Sequence, residues 1–386
     1  MMRGGPELAQ GGLPWPTGLQ ALIVKAAIGP DDQVEAAFRA WRDQIDIDDH
    51  VDGGTFRLLP LVYERLRSLD IADPLMGRLK GVYRRAWVET HGLFADVAPT
   101  VARLEAAGVN TLLLKGVPLA LSYYRSHATR PMFDLDVLVP NSQRDLAIQI
   151  LGEGGWRQGA MVRVIEVADQ HGLDFRNAAD RELDLHWHCL REAPSDAADA
   201  WFWASTRPLD FSGVATRQLN PTAMLLHIVL HGVRSNVEPP IRWIVDAATV
   251  IRSSPGEIDW DALVGFARSQ KLCHRLFLGL DYLSREYGVP VPSDALRRLK
   301  ASGVSLVERL ENVIYLGKAE TMYRPRLYPL IDYWRHLRNL DLWSFLRGYG
   351  PYLGRRWKLH HTFEVPLEAL RVLSRHMMRP HVSARS

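Results

Sequence analysis

From Leu19 to about Ala107 apolar residues return every three or four positions, as in Val34, Ala37, Phe38 and Trp41 and again in Leu58, Leu61, Val62 and Leu66. That is the spacing of one helix face, and it predicts a set of helices. At Gly108 the texture changes. VNTLLLKG is short, apolar and β-prone, and it ends on a glycine, as a buried strand entering a turn does. DLDVLVP then alternates Asp134, Asp136 and Leu138 against Leu135, Val137 and Val139 until Pro140 stops it, the strongest strand pattern in the chain. A helical segment follows from about Ser142 to Leu151, then the turn signal GEGG, then HGLDFRN and RELDLHWH, the latter alternating through Leu183, Leu185 and Trp187. Past Pro194 the helical period resumes, with Asn220 placed to cap a helix and Pro221 at its first position.

The pattern predicts an α+β protein in three parts: an N-terminal helical region over 1–107, a small mixed-sheet core over 108–190 and a C-terminal helical region over 191–386. The first sixteen residues, rich in Gly and Pro and without periodicity, read as a mobile lead-in.

Composition narrows the class. Of 386 residues, 47% are hydrophobic and 24% charged, as in a folded globular protein, and a net charge of +3 names no partner. Cys189 and Cys273 are the only cysteines, too few for a disulfide scaffold or a four-cysteine zinc site; they suit a reducing cytosol, so a cytoplasmic location is expected. No apolar run is long enough for a signal-peptide core or a membrane span, so no integral membrane association is expected. The segment 335–386 is locally basic, with ten Lys or Arg against three Asp or Glu, 10 − 3 = +7.

The chemistry concentrates in the core. Asp134 and Asp136, two apart on a strand, leave the same face with Cα atoms roughly 6.5 to 7 Å apart. Such a pair is either a solvated strand end or a shared metal site. Buried neighbours make uncompensated carboxylates costly, and oxygen ligands of this kind suit Mg²⁺. Asp184, on another alternating strand, is a third candidate ligand, with His186 on its face. Lys115 and Gly116 close the first strand, where a glycine lets backbone amides approach phosphate and a lysine adds charge. Arg130 is placed either to reach a phosphate or to pair with Asp134 or Asp136. His227 and His231 share a helix face and, with Asp246, imitate a metal-ligand set. A polar lock between helices, bordering the cleft through Arg242, is the alternative, with a histidine or Arg242 as the donor to Asp246. G-x-S-x-G, G-x-x-x-x-G-K-[ST] and G-x-G-x-x-G signatures are absent at any strand-to-helix turn.

LLLKGVPLALSYYRSHATRPMFDLDVLV, then LDLHWH, then LLHIVLHGV with IRWIVDAATVI, resembles the uncharacterised nucleotidyltransferases of the polymerase-β-like superfamily over roughly residues 85 to 290. The resemblance implies a nucleotidyltransferase core. It implies triphosphate held at Lys115 and Gly116, two divalent metals, expected as Mg²⁺, on Asp134 and Asp136, and Asp184 completing the site. It implies transfer of a nucleoside monophosphate from an NTP to a hydroxyl-type acceptor, in the setting of bacterial biosynthesis. The basic cluster lies far in sequence from the acidic pair, so a small molecule or protein is expected as acceptor rather than RNA. The superfamily usually has Ser or Gly after its motif glycine and a shorter spacing to the acidic pair. Here Val117 follows Gly116, which stands eighteen residues before Asp134. The hydroxyl that would touch a phosphate is missing from that turn. The alternative is therefore a catalytically silent nucleotidyltransferase-fold binding module.

Overall fold

The computed structural model describes residues 14–47, 51–159, 170–234 and 240–316, and beyond these 330, 333–335, 342–357, 359, 361–368 and 370–371. Most of the lead-in lies outside the described residues, as do Arg338, Lys358, Arg375, Arg379 and Arg385 of the basic segment.

Helices begin where the caps allow. Thr17 and Gln20 form a reciprocal capping box that opens α1 (Gly18–Ile28), which is followed by α2 (Asp31–Arg42). Asp52 caps the short α3 (Gly53–Phe56) and also accepts from Gln20 Nε2 at 2.8 Å, tying the two helix starts together. α4 (Leu59–Ser68) and the long α5 (Met76–Ala106) complete the N-terminal set.

The apolar run at residue 112 becomes β1 (Leu112–Leu114), which turns at Lys115 into α6 (Gly116–Ser122). The acidic alternation becomes β2 (Asp134–Leu138), followed by α7 (Arg144–Glu153) and β3 (Arg157–Gln158). The two later alternating runs become β4 (Gly172–Arg176) and β5 (Glu182–His186). After α8 (Asp196–Ala204) come β6 (Thr206–Phe211) and β7 (Val214–Leu219). One mixed sheet results, in the order β3-β4-β5-β2-β1-β7-β6, with β2–β5 and β1–β7 parallel and the other pairs antiparallel.

Two features of the structure cross the boundaries of that three-part division. The stretch from 191 onward, expected to be helical, supplies β6 and β7, a hairpin whose turn residues Ser212 and Gly213 have φ of 54° and 82°, as a type I′ turn requires. Pro208 is tolerated because β6 is the sheet edge. The two helical regions also share one core. Ile23 and Trp41 belong to the same buried cluster as Leu225, Ile244 and Leu280, and Arg252 Nη1 donates to the Ile28 carbonyl at 2.6 Å.

The sheet separates two cores. Leu135 and Val137 of β2 and Leu183 and Leu185 of β5 pack with Val97 and Val101 of α5 and Ile150 of α7. The opposite face, carrying Leu112, Leu114 and Leu138, meets the helical layer of α9 (Pro221–Gly232) and α10 (Arg242–Ser253). Strand alternation therefore turns Asp134, Asp136, Asp184 and His186 toward that layer. Asn220 caps α9 through the Ala223 amide, with Pro221 in the first turn.

α9 and α10 approach closely at Gly232, where an added Cβ would overlap Cβ and Cγ of Trp243. Gly232→Ala should therefore lower stability by about 1–3 kcal/mol, the range for overpacking. A thermal melt checks it: an unchanged Tm would mean that the two helices part without cost.

Candidate active site

β1 ends on Leu114, and the chain turns through Lys115 with φ 47° and ψ −103° before α6 begins. A non-glycine residue in that region costs on the order of 1–3 kcal/mol and persists only where its surroundings hold it. Here the ammonium is held. Lys115 Nζ donates to Asp136 Oδ1 at 2.5 Å. His186 Nε2 lies 3.0 Å from the same oxygen. Burial alone would raise the Asp136 carboxyl, but the charge of Lys115 and the contact with His186 hold it well below the usual carboxylate range.

Parallel pairing of β2 with β5 sets Asp136 directly beside Asp184, and Leu138 beside His186. Ligand atoms of Asp136, Asp184 and His186 all lie within 4.8 Å of one another. Burial, and then the charge of Asp136, push Asp184 up to about 6. Asp134 stands on the same face of β2, opposite Glu182 in register, and lines the neighbouring cleft outside that tight group. Two adjacent carboxylates suit a hard divalent cation, because one lysine compensates only part of their charge.

The cleft, about 340 Å³, lies between the acidic face and α10. Lys115, Gly116, Asp134 and Asp136 line one side, Arg242 and Trp243 the other. Gly116 is constrained by packing: a Cβ there would come 3.1 Å from Met132 Sδ. Gly54 and Arg57, from the N-terminal helices, close a third side, with the Arg57 guanidinium 5.4 Å from the centre of the Phe133 ring. The hydrophobic pattern marks neither Arg57 nor Phe133 as a site residue; the one signal is that Phe133 stands beside the acidic pair.

Arg130 pairs with neither Asp134 nor Asp136, and it lines the cleft. After the short turn His127–Thr129 its guanidinium meets Asp246 of α10, with Nε at 3.1 Å from Oδ1 and Nη2 at 2.8 Å from Oδ2. The planar fork matches the carboxylate. The Tyr124 hydroxyl donates to Asp246 Oδ1 at 2.7 Å. The expected histidine or Arg242 partner of Asp246 is thus replaced by Arg130 and Tyr124. Arg242 instead donates to the Pro131 carbonyl. Burial, and then the nearby charge of Arg130, bring Arg242 down to about 9.

His227 and His231 stack with ring centres 6.0 Å apart, and among the described residues they form no metal-ligand cluster with Asp246. His227 is buried and pushed down to about 3, by burial first and then by Lys115. His231 opens into the cleft. His188 is buried, its Nδ1 2.6 Å from Asp199 Oδ2, and this contact ties the end of β5 to α8.

Two consequences can be measured. Asp246→Ala would strand the buried Arg130 guanidinium and should cost about 3–5 kcal/mol. His231→Ala should cost far less, and the reverse ranking in denaturant titrations would refute this pairing. Asp184 is raised from 3.8 to about 6, so folding favours its neutral form. Its contribution is full below pH 3.8 and is lost as the pH rises through about 6. In metal-free protein Asp184→Asn should therefore stabilise at pH 7.5 by at most about 3 kcal/mol, with the gain fading near pH 4. A gain independent of pH would contradict the raised proton affinity of Asp184.

Residues 55–288, more than half of the chain, match the family described as uncharacterised nucleotidyltransferase. The crystal structure of an antigenic nucleotidyltransferase-like protein from Paracoccidioides brasiliensis is similar at 13% identity and a TM-score of 0.35, over 56% of this chain and 96% of that one. No curated protein matches the chain. Lys115, Asp134, Asp136, Asp184 and Arg242 all fall inside the matched span, and the chain belongs to this family of uncharacterised nucleotidyltransferases.

Proposed function

We propose that the protein is a metal-dependent nucleotidyltransferase of the polymerase-β-like type, moving a nucleoside monophosphate from an NTP to a hydroxyl-type acceptor. The observation that carries this reading is the β2–β5 register, which sets Asp184 beside Asp136 on the sheet face that also carries Asp134. Beside that face lies a cleft with cationic side chains.

Mg²⁺ held by Asp134, Asp136 and Asp184 would supply charge neutralisation at the attacking and leaving oxygens. The chain's own residues do the rest. Arg242, Arg57 and Lys115 bind and orient the triphosphate, with Lys115 turning from Asp136 toward phosphate. The acceptor oxygen attacks the α-phosphorus, the bond to the bridging oxygen breaks, and pyrophosphate leaves. Asp184 ligates the metal on the acceptor's side or takes the acceptor proton. Arg130, held by Asp246, shapes the cleft wall instead of gripping phosphate.

A small-molecule or protein acceptor is favoured over RNA, because the described cleft is small and the basic cluster lies in 335–386. Both cysteines are buried and free, which supports a reducing, cytoplasmic setting. Among the described residues no helix is long and apolar enough to cross a membrane. The contact of Lys115 with Asp136 favours a second reading, a silent binding module that keeps the fold and the nucleotide without transfer.

Incubation with α-labelled NTPs, Mg²⁺ and a cell extract separates the two. Transfer should occur with the parent and fall by about 100-fold or more in Asp136→Asn and Asp134→Asn. NTP binding without transfer would favour the silent module, and undiminished transfer by Asp136→Asn would remove the metal-site assignment.

A further inference from the structure

Phe133 immediately precedes Asp134, lines the cleft and is 47% exposed. A single exposed phenylalanine is ordinary, so exposure alone carries nothing. Its surroundings are what matter. The cleft walls beside it carry charges of both signs, and Arg57, from a stretch of chain remote in sequence, stands over its ring at 5.4 Å. Phosphate and metal would satisfy the charges and leave the aromatic face in water.

We infer, resting on the nucleotidyltransferase reading, that Phe133 with Arg57 is the platform on which the nucleobase of the NTP stacks. The base is the one part of an NTP with a flat, weakly hydrated face that a phenyl ring can cover. Arg57 completes the platform: its planar guanidinium orients the ring and presents positive charge to the triphosphate. A phenyl ring offers no hydrogen bonds to a base edge. Selectivity at this platform therefore comes from stacking area, which places purine nucleoside triphosphates ahead of pyrimidine ones and separates adenine from guanine little.

The test titrates the full chain with the Mg²⁺ complexes of ATP, GTP, CTP and UTP, and with Mg²⁺-tripolyphosphate, which has the phosphates without the base. Phe133→Leu keeps apolar volume without the ring, Phe133→Ala removes both, and Phe133→Trp restores an aromatic face. Purine NTP affinity should fall about ten-fold or more in the Leu and Ala variants and return in the Trp variant. Tripolyphosphate affinity should stay unchanged in all of them. Leu and Ala variants that bind every NTP like the parent would overturn the platform while leaving the nucleotidyltransferase reading intact. Equal losses for tripolyphosphate and NTP would also overturn it, by assigning Phe133 to the local fold. A parent that binds neither NTP nor tripolyphosphate would sink both readings.

Discussion

Two carboxylates set side by side on neighbouring parallel strands repel each other, and the region around Asp136 and Asp184 is built to meet that repulsion. Lys115 and His186 both converge on Asp136 Oδ1. The lysine reaches it from a backbone conformation with positive φ that few side chains adopt. Burial first, and then the charge of Asp136, push the Asp184 carboxyl up to about 6. A fold that only needed stability would put apolar residues at these positions, as it does at Leu135 and Leu183 on the other face. This is the ground on which we propose the acidic pair as a cation site.

The rest of the architecture fixes the walls around that pair. The Arg130–Asp246–Tyr124 contact joins the segment before β2 to α10, so the wall bearing Arg242 is held by a buried ion pair. The close approach at Gly232 sets α9 against α10. The N-terminal helices share the core of the C-terminal ones and deliver Arg57 to the cleft. The site therefore depends on three stretches of chain, although Asp134, Asp136 and Asp184 all come from the sheet.

Much of this is legible in the sequence. Alternation locates β2 and β5, and the paired aspartates mark the face they share. The hairpin of β6 and β7 is not legible in the same way, because Pro208 and the polar residues of those runs obscure the strand period, and Ser-Gly is a weaker turn signal than Asn-Gly or Asp-Gly. The partner of Asp246 is hidden for a different reason: Arg130 lies 116 residues away, and nothing local specifies which cation arrives. Arg57 is hidden likewise, since a helical segment gives no sign that its end will meet a cleft on the sheet.

Whether Asp136 and Asp184 hold a divalent cation is answered most directly by a crystal structure with Mn²⁺ and a non-hydrolysable NTP analogue, through the anomalous signal of the metal. The expected map has metal between the Asp136 and Asp184 carboxylates, with Lys115 Nζ moved from Asp136 onto phosphate. Nucleotide bound with no metal at these carboxylates, and Lys115 still on Asp136, would contradict the assignment.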